Sequence, residues 1–291
     1  MRKNIWMAVI CLFAGLQASM AQRFTVGTYN LRNDNNKEDA ANGNGWQTRY
    51  PVITNLLRFH GFDIFGTQEG MKHQLENLKD SLPGFAYIGV GRDDGKEAGE
   101  HSAIFYNTEK FKVMQQGNFW LSEVEDRPNK GWDAVLPRIC TWGLFKETRT
   151  GFTFYMFNLH MDHIGVKARA ESAKLILKKI KEMTNGRPVI LTGDFNVDQT
   201  SESYKLLATS NVLFDAYETT KLRYALTGSF NAFKPNLATT SRIDHIFLTK
   251  DFTVQRYGIL DDTYRSKDGD TGTARMPSDH FPVMADVTHG K

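Results

Sequence analysis

Two residues at the end of one short stretch suggest chemistry. In 188–196, Val189, Ile190 and Leu191 lead into Asp194 and Asn196. Alternate residues of a strand point the same way, so the carboxylate and carboxamide are expected side by side at the mouth of a buried strand. Other apolar runs end similarly, in Asn30, in Glu69, in His160 and in Asp244 with His245, while Asp279 with His280 precedes the last run. Each ending has an ordinary structural explanation, as a turn former, a helix-cap charge or an interior histidine. Their recurrence favours a shared site, because open α/β sheets gather ligands at strand ends. Carboxylate and carboxamide oxygens without thiols suit Mg²⁺ or Mn²⁺ rather than structural zinc. Histidines beside spare carboxylates suit proton transfer and the orientation of a water. Together these are the parts of metal-assisted phosphoester hydrolysis. His160 and His163 do not make a zinc-protease site, since no Glu follows His160 and the pair ends a strand rather than lying in an HExxH helix.

The elements that must position these groups are legible as periodicity. Strands are predicted over 24–29, 62–68, 85–90, 102–106, 111–115, 139–145, 152–159, 188–191, 242–248, 252–257 and 281–287. A helix is predicted from Pro51, with Val52, Ile53, Leu56 and Leu57 on one face and Gly61 closing it. Met71, Leu75, Leu78 and Leu82 predict a second. The clearest spans 166–183, with its lysines on a solvated face, and a polar one is expected near 201–207. The Asn-, Asp- and Gly-rich segment 33–46 reads as a surface loop. Loops over 91–100 and 122–137 are expected either to rim a site or to be solvated connections. Trp46 and Trp132 are candidates for stacking on a base or sugar, or for loop packing. No internal repeat or linker divides the chain.

The first twenty-one residues read as an exported leader: Arg2 and Lys3, an apolar run from Ile5 to Leu16, then Ser19-Met20-Ala21. That division, 1–21 and 22–291, leaves one domain of class α/β (α+β), periplasmic or secreted. The apolar run is too short to span a bilayer, and no stable membrane insertion is expected. Without Arg2 and Lys3 the formal charge of +3 falls to about +1, which does not demand a polyanionic partner. Of two cysteines only Cys140 then remains, so no internal disulfide is expected. A monomer is expected.

The order Thr28-Tyr29-Asn30-Leu31-Arg32, Gln68-Glu69, Asn158-Leu159-His160, Gly193-Asp194-Phe195-Asn196, Ser241-Arg242-Ile243-Asp244-His245-Ile246 and Ser278-Asp279-His280-Phe281-Pro282-Val283 resembles the endonuclease/exonuclease/phosphatase superfamily from end to end. The segment 160–165 with Arg169 resembles an exported bacterial branch near the nocturnin and Angel group. The resemblance implies a four-layer α/β sandwich, with two mixed β-sheets packed face to face, helices outside and the site at one edge. It implies Glu69 as the principal metal ligand, with Asn30 and Asp279 near the metal. Asp194 would orient or deprotonate the attacking water, and Asn196 would hold that water or the phosphate. His280, oriented by Asp244, would face the scissile phosphate, and His160 would donate to a phosphoryl oxygen. Arg138, His163 and Arg169 are candidates for a substrate phosphate or for structural ion pairs, and Tyr106 for the family's active-site tyrosine.

The implied activity is that of a divalent-metal-dependent phosphodiesterase, nuclease or phosphatase. Its substrate, whether nucleic acid, phospholipid, nucleotide or sugar phosphate, stays open. The competing reading is a binding protein on the same scaffold whose catalysis has lapsed.

Overall fold

The computed structural model describes residues 22–266 and 272–289; the expected leader lies outside the described residues. The chain begins β1 (Gln22–Asn30), α1 (Lys37–Ala41), α2 (Trp46–Phe59), β2 (Ile64–Gln68), α3 (Lys72–Ser81), β3 (Phe85–Ile88) and β4 (Ile104–Asn107). It continues through β5 (Phe111–Trp120), β6 (Ile139–Glu147), β7 (Thr153–His160), α4 (Val166–Thr184), β8 (Val189–Asp194) and α5 (Glu202–Ala208). Then follow β9 (Phe214–Asp215), α6 (Ala216–Thr219), β10 (Arg223–Tyr224), β11 (Asp244–Leu248), β12 (Phe252–Ile259), β13 (Tyr264–Arg265), β14 (Ala274–Arg275) and β15 (Val283–His289).

Strands rich in Val, Ile and Phe on both faces require cover on both faces, and the fold supplies it. One sheet runs β10-β12-β15-β1-β2-β4-β3 and the other β5-β6-β7-β8-β11-β9, with β13 and β14 forming a separate hairpin. Phe24, Val26, Ile64, Ile104, Phe145, Met156, Ile190 and Ile246 fill the space between the sheets. Ala173, Ile176 and Ile180 of α4 cover the outer face of the six-stranded sheet against Leu159, Val189 and Leu191. Ile53, Leu57, Leu75 and Leu78 of α2 and α3 cover the other sheet over Tyr29 and Phe65. This is the expected four-layer sandwich. Among the described residues, no helix is long and apolar enough to cross a membrane.

The sheets are also joined by polar contacts. Fully buried Asn158 on β7 donates from Nδ2 to the carbonyls of Thr67 (2.9 Å) and Ala103 (3.0 Å), while its Oδ1 accepts from Gln68 Nε2 (2.8 Å) and Thr192 Oγ1 (3.0 Å). Gly66 permits this approach, since a Cβ there would stand 2.0 Å from Asn158 Oδ1.

Several expectations need correction. The segment 33–46 contains α1, and α2 starts at Trp46, so Pro51 lies inside the helix rather than opening it. The early start is fixed by burial: Trp46 is in the core with Nε1 bonded to Asn77 Oδ1 (2.9 Å), which removes it as a stacking surface. Trp132 is half-buried at φ +50° against the α4 side. β5 and β12 outrun their predicted ends past β-bulges at Val113/Gln115 and Val254/Arg256, which break the alternation used to read them. Tyr106 pairs with Ile64 at the start of β2, away from Gln68, and packs on Phe145, so it is remote from Glu69.

Candidate active site

Register explains how residues so distant in sequence meet. β7 pairs parallel with β8 so that His160 faces Asp194, and β11 pairs antiparallel with β8 so that Asp244 faces Asp194. His160, Asp194 and Asp244 therefore form one row at the end of the six-stranded sheet. In the other sheet Asn30 is level with Gln68, which puts Glu69 one residue beyond the strand end. Asp279 and His280 enter on the turn before β15.

Fully buried Asn30 joins the two sheets here: its Nδ2 donates to Asp194 Oδ2 (2.9 Å) and Glu69 Oε1 (3.1 Å). Glu69 Oε2 accepts from the backbone N–H (3.1 Å) and Nδ2 (2.9 Å) of Asn33. Burial opposes charge on Glu69, but these bonds, with His280 and Arg32 nearby, hold its pKa below the ordinary carboxylate value. Asp279 behaves oppositely: burial pushes its pKa up, with Glu69's charge adding and His280's opposing. Ser278 Oγ donates to the Asn30 carbonyl (2.7 Å), and Asn231 N–H to the Asp279 carbonyl (2.7 Å), fixing that turn. Glu69 at φ +62°, Arg32 at +55° and Asn196 at +51° occupy the left-handed region, a local strain that the surrounding bonds hold in place.

On the opposite side, His280 Nδ1 bonds Asp244 Oδ2 at 2.8 Å, and its Nε2 lies 3.7 Å from Asp194 Oδ2. Burial alone would discharge His280, but Asp244 and Asp194 outweigh it and raise the pKa to about 10. Burial and the neighbouring Asp244 push Asp194 up to about 7. His280 is thus held as a cation beside a carboxylate poised near neutrality.

Asn196 reaches Asp194 through a turn rather than along the strand: β8 ends at Asp194, and Asn196 N–H donates to Asp194 Oδ1 (2.9 Å). Its Nδ2 spends both protons, on the Met161 carbonyl (3.0 Å) and on His160 Nε2 (3.0 Å). Nε2 is then the acceptor, and the proton of neutral His160 sits on Nδ1. Burial, with Arg138 and Arg92 nearby, keeps the His160 pKa well below its ordinary value.

Arg138, His163 and Arg169 gather around Asp162. Arg138 Nε bonds Asp162 Oδ2 (3.2 Å), Arg138 Nη2 meets His163 Nδ1 (2.8 Å), and Arg169 Nη1 donates to the Asp162 carbonyl (2.9 Å). Arg138 is buried and His163 exposed. His245 leaves the site, packing on Phe195 and Tyr204 with Nε2 at the Val197 carbonyl (3.1 Å). A cavity lined by Leu177, Val189, Val212 and Phe214 opens at the other end of β8 and holds none of these groups.

Sequence reasoning missed Asn33, Arg92, Glu100 and Asp162. The charged, Gly-rich pattern of 91–100 was the available signal for two of them.

Glu69 and Asp279 offer hard oxygens, with one carboxylate ionised and its neighbour resisting ionisation, which is the tension a divalent cation relieves. Asn30 turns its Nδ2 to Glu69 and Asp194 while its Oδ1 accepts from the Arg32 N–H (2.9 Å), so it orients Glu69 rather than offering an oxygen. A second compact set, Asp194, Asp244 and His280, has ligand atoms within 4.8 Å of one another. Its histidine is bonded through Nδ1 to Asp244, the arrangement of an oriented acid–base pair, so the set suits proton handling as well as metal ligation.

The model of the endonuclease/exonuclease/phosphatase family matches residues 27–280. The chain belongs to that family. A family member from Bacteroides thetaiotaomicron is 58% identical in sequence with a TM-score of 0.91, covering 93% of this chain and 99% of its own. The mannosyl-6-phosphatase of Bacteroides thetaiotaomicron VPI-5482 is 60% identical with a TM-score of 0.89, covering 91% and 99%. The human nocturnin catalytic domain, 18% identical with a TM-score of 0.69 over 92% of this chain and 94% of that one, shares the family fold.

Proposed function

We propose that residues 22–291 act, after removal of an export leader, as a monomeric divalent-metal-dependent phosphoester hydrolase, and within that class as a sugar-phosphate phosphatase. One observation carries the hydrolase reading: Asp194 receives Asn30, which also holds Glu69, and faces His280, which Asp244 orients. A single carboxylate thereby links the oxygen-rich side of the site to the proton-handling side. The choice of a sugar phosphate rests on the mannosyl-6-phosphatase similarity and on the modest charge of the chain.

Glu69 and Asp279, with Asn30 orienting Glu69, would hold Mg²⁺ or Mn²⁺. When bound, the ion supplies Lewis-acid polarisation of the phosphoryl group. Asp194, near neutrality, takes a proton from the water that attacks phosphorus. His280, kept cationic, donates from Nε2 to the phosphoryl oxygens as their charge rises. Asn196, fixed by His160 and Met161, has its Oδ1 left to orient that water. The proton that Asp194 removes returns, through solvent, to the leaving oxygen, so the P–O bond is cleaved by net addition of one water.

The test is phosphate release from mannose 6-phosphate and glycerol phosphate and strand cleavage of a DNA oligonucleotide, each with Mg²⁺ and with chelator. Chelator-sensitive release from the sugar ester is the expected result. No hydrolysis of any of the three would favour the lapsed binding protein, and cleavage confined to DNA would replace the substrate assignment.

A further inference from the structure

A second polar cluster adjoins His160, and the steps above leave it idle. Arg92 and Arg138 are buried, at 8% and 3% exposure, while Glu100 is half-buried and reaches solvent. Arg92 Nη1 is paired with Glu100 Oε2. Glu100 Oε1 accepts from Asn33 Nδ2 at 3.3 Å, from the same amide that holds Glu69. His160 Nδ1 stands 4.0 Å from Glu100 Oε2, too far for a hydrogen bond.

Three buried nitrogens here have no hydrogen-bond partner: Arg92 Nε, which lies 3.9 Å from Asp93 Oδ1, Arg138 Nη1 and His160 Nδ1. All three are donors, given that Asn196 makes His160 Nε2 the acceptor. A donor left unpaired in the interior is unfavourable, so a group of them beside a reaction centre calls for acceptor oxygens from outside the chain. The charge balance says which kind. Arg92 is matched by Glu100 and Arg138 by Asp162, so the cluster has little net charge with which to attract a second phosphate. A hydroxyl group fits better, because it accepts from a guanidinium and donates to a carboxylate at once.

Resting on the phosphatase reading, we propose that Glu100, held by Arg92 and Asn33, is a specificity-determining residue: its carboxylate, with the spare N–H groups of Arg92 and Arg138, binds hydroxyls of the sugar that carries the phosphate. Glu69 and Glu100 share Asn33, so the phosphate end and the sugar end of the substrate are held at a set spacing.

The test compares mannose 6-phosphate with hexyl phosphate, a six-carbon ester without hydroxyls, on the wild type and on Glu100→Gln. The expected result is that the substitution lowers kcat/KM for the sugar ester by roughly tenfold or more relative to hexyl phosphate, chiefly through KM. An equal change on both esters, or a sugar preference as large as in the wild type, overturns the proposal. Calorimetric binding of the two esters in chelator gives a readout without turnover: selective loss of mannose 6-phosphate affinity supports the subsite, and undiminished selectivity overturns it. If the wild type hydrolyses neither ester the phosphatase reading fails, yet the binding comparison still decides the subsite. Should Glu100→Gln lower the melting temperature enough to unfold the site, Glu100→Asp carries the same comparison.

Discussion

His280 Nδ1 and Asp244 Oδ2 are 2.8 Å apart, and both side chains are buried. A carboxylate so placed fixes the ring's orientation and keeps it protonated, as in other His-Asp pairs. Asp244→Asn retains the shape but removes the charge, so His280 should discharge. We expect kcat for phosphate release to fall by roughly 10²- to 10⁴-fold with the circular-dichroism spectrum unchanged. Retention of full turnover would remove the pair from the mechanism.

Glu69 is the ionised member of the oxygen set at the edge of the other sheet. Glu69→Gln should weaken Mn²⁺ binding by at least about tenfold, since even residues that only orient a metal's ligands contribute on that scale. Titration calorimetry on wild type and variant measures this. An unchanged affinity would move the cation to the Asp194, Asp244 and His280 set.

Asp162 supplies a pH dependence outside the reaction centre. Burial opposes its charge, but N–H bonds from Gly165 and Ile164 and the Arg138 cation hold its pKa at about 2, against an ordinary 3.8. A depressed folded-state pKa stabilises the fold at pH values above the unfolded value, and that stability is lost as pH falls toward 2. Asp162→Asn should therefore cost about 2 kcal/mol at pH 7, with the deficit shrinking between about pH 4 and pH 2. Urea denaturation at three pH values checks this; a deficit independent of pH would contradict it.

Arg49 is buried at 1% exposure and donates to four carbonyls: Asn44 (2.7 Å), Leu31 (2.7 Å), Pro277 (3.0 Å) and Arg32 (3.0 Å). Leu31 follows Asn30, and Pro277 lies two residues before Asp279. Arg49→Met should cost about 3 kcal/mol or more by orphaning these carbonyls, and Arg49→Lys should recover only part of that, because an ammonium lacks the planar fork. Thermal melting separates these outcomes; a neutral Arg49→Met would show that water replaces the guanidinium without loss.

Strand endings were legible because an apolar run halting at Asn30, Glu69 or Asp194 is visible in one dimension, and these endings do converge. Convergence itself depends on register, such as His160 level with Asp194 and Asp194 with Asp244, which no local pattern encodes. Arg49 was hidden because a buried arginine whose hydrogen bonds all go to carbonyls, with its guanidinium over the Trp46 and Phe233 rings, leaves no paired acid to find. It also explains the misplaced start of α2, since its helical turn and that of Trp46 are held by tertiary bonds rather than by a capping signal. Arg92 and Glu100 lay in a segment that reads equally well as solvated loop.

β1 lies between β2 and β15, the last strand among the described residues. During synthesis β1 must therefore wait until β15 is made before its outer edge is paired. Ser278 and Asn30, 248 residues apart, come together only when that strand docks. A translation stop before Ser278 yields a product with β1 unpaired on that side and without Asp279 and His280, a species that would be both inactive and prone to join edges with its neighbours.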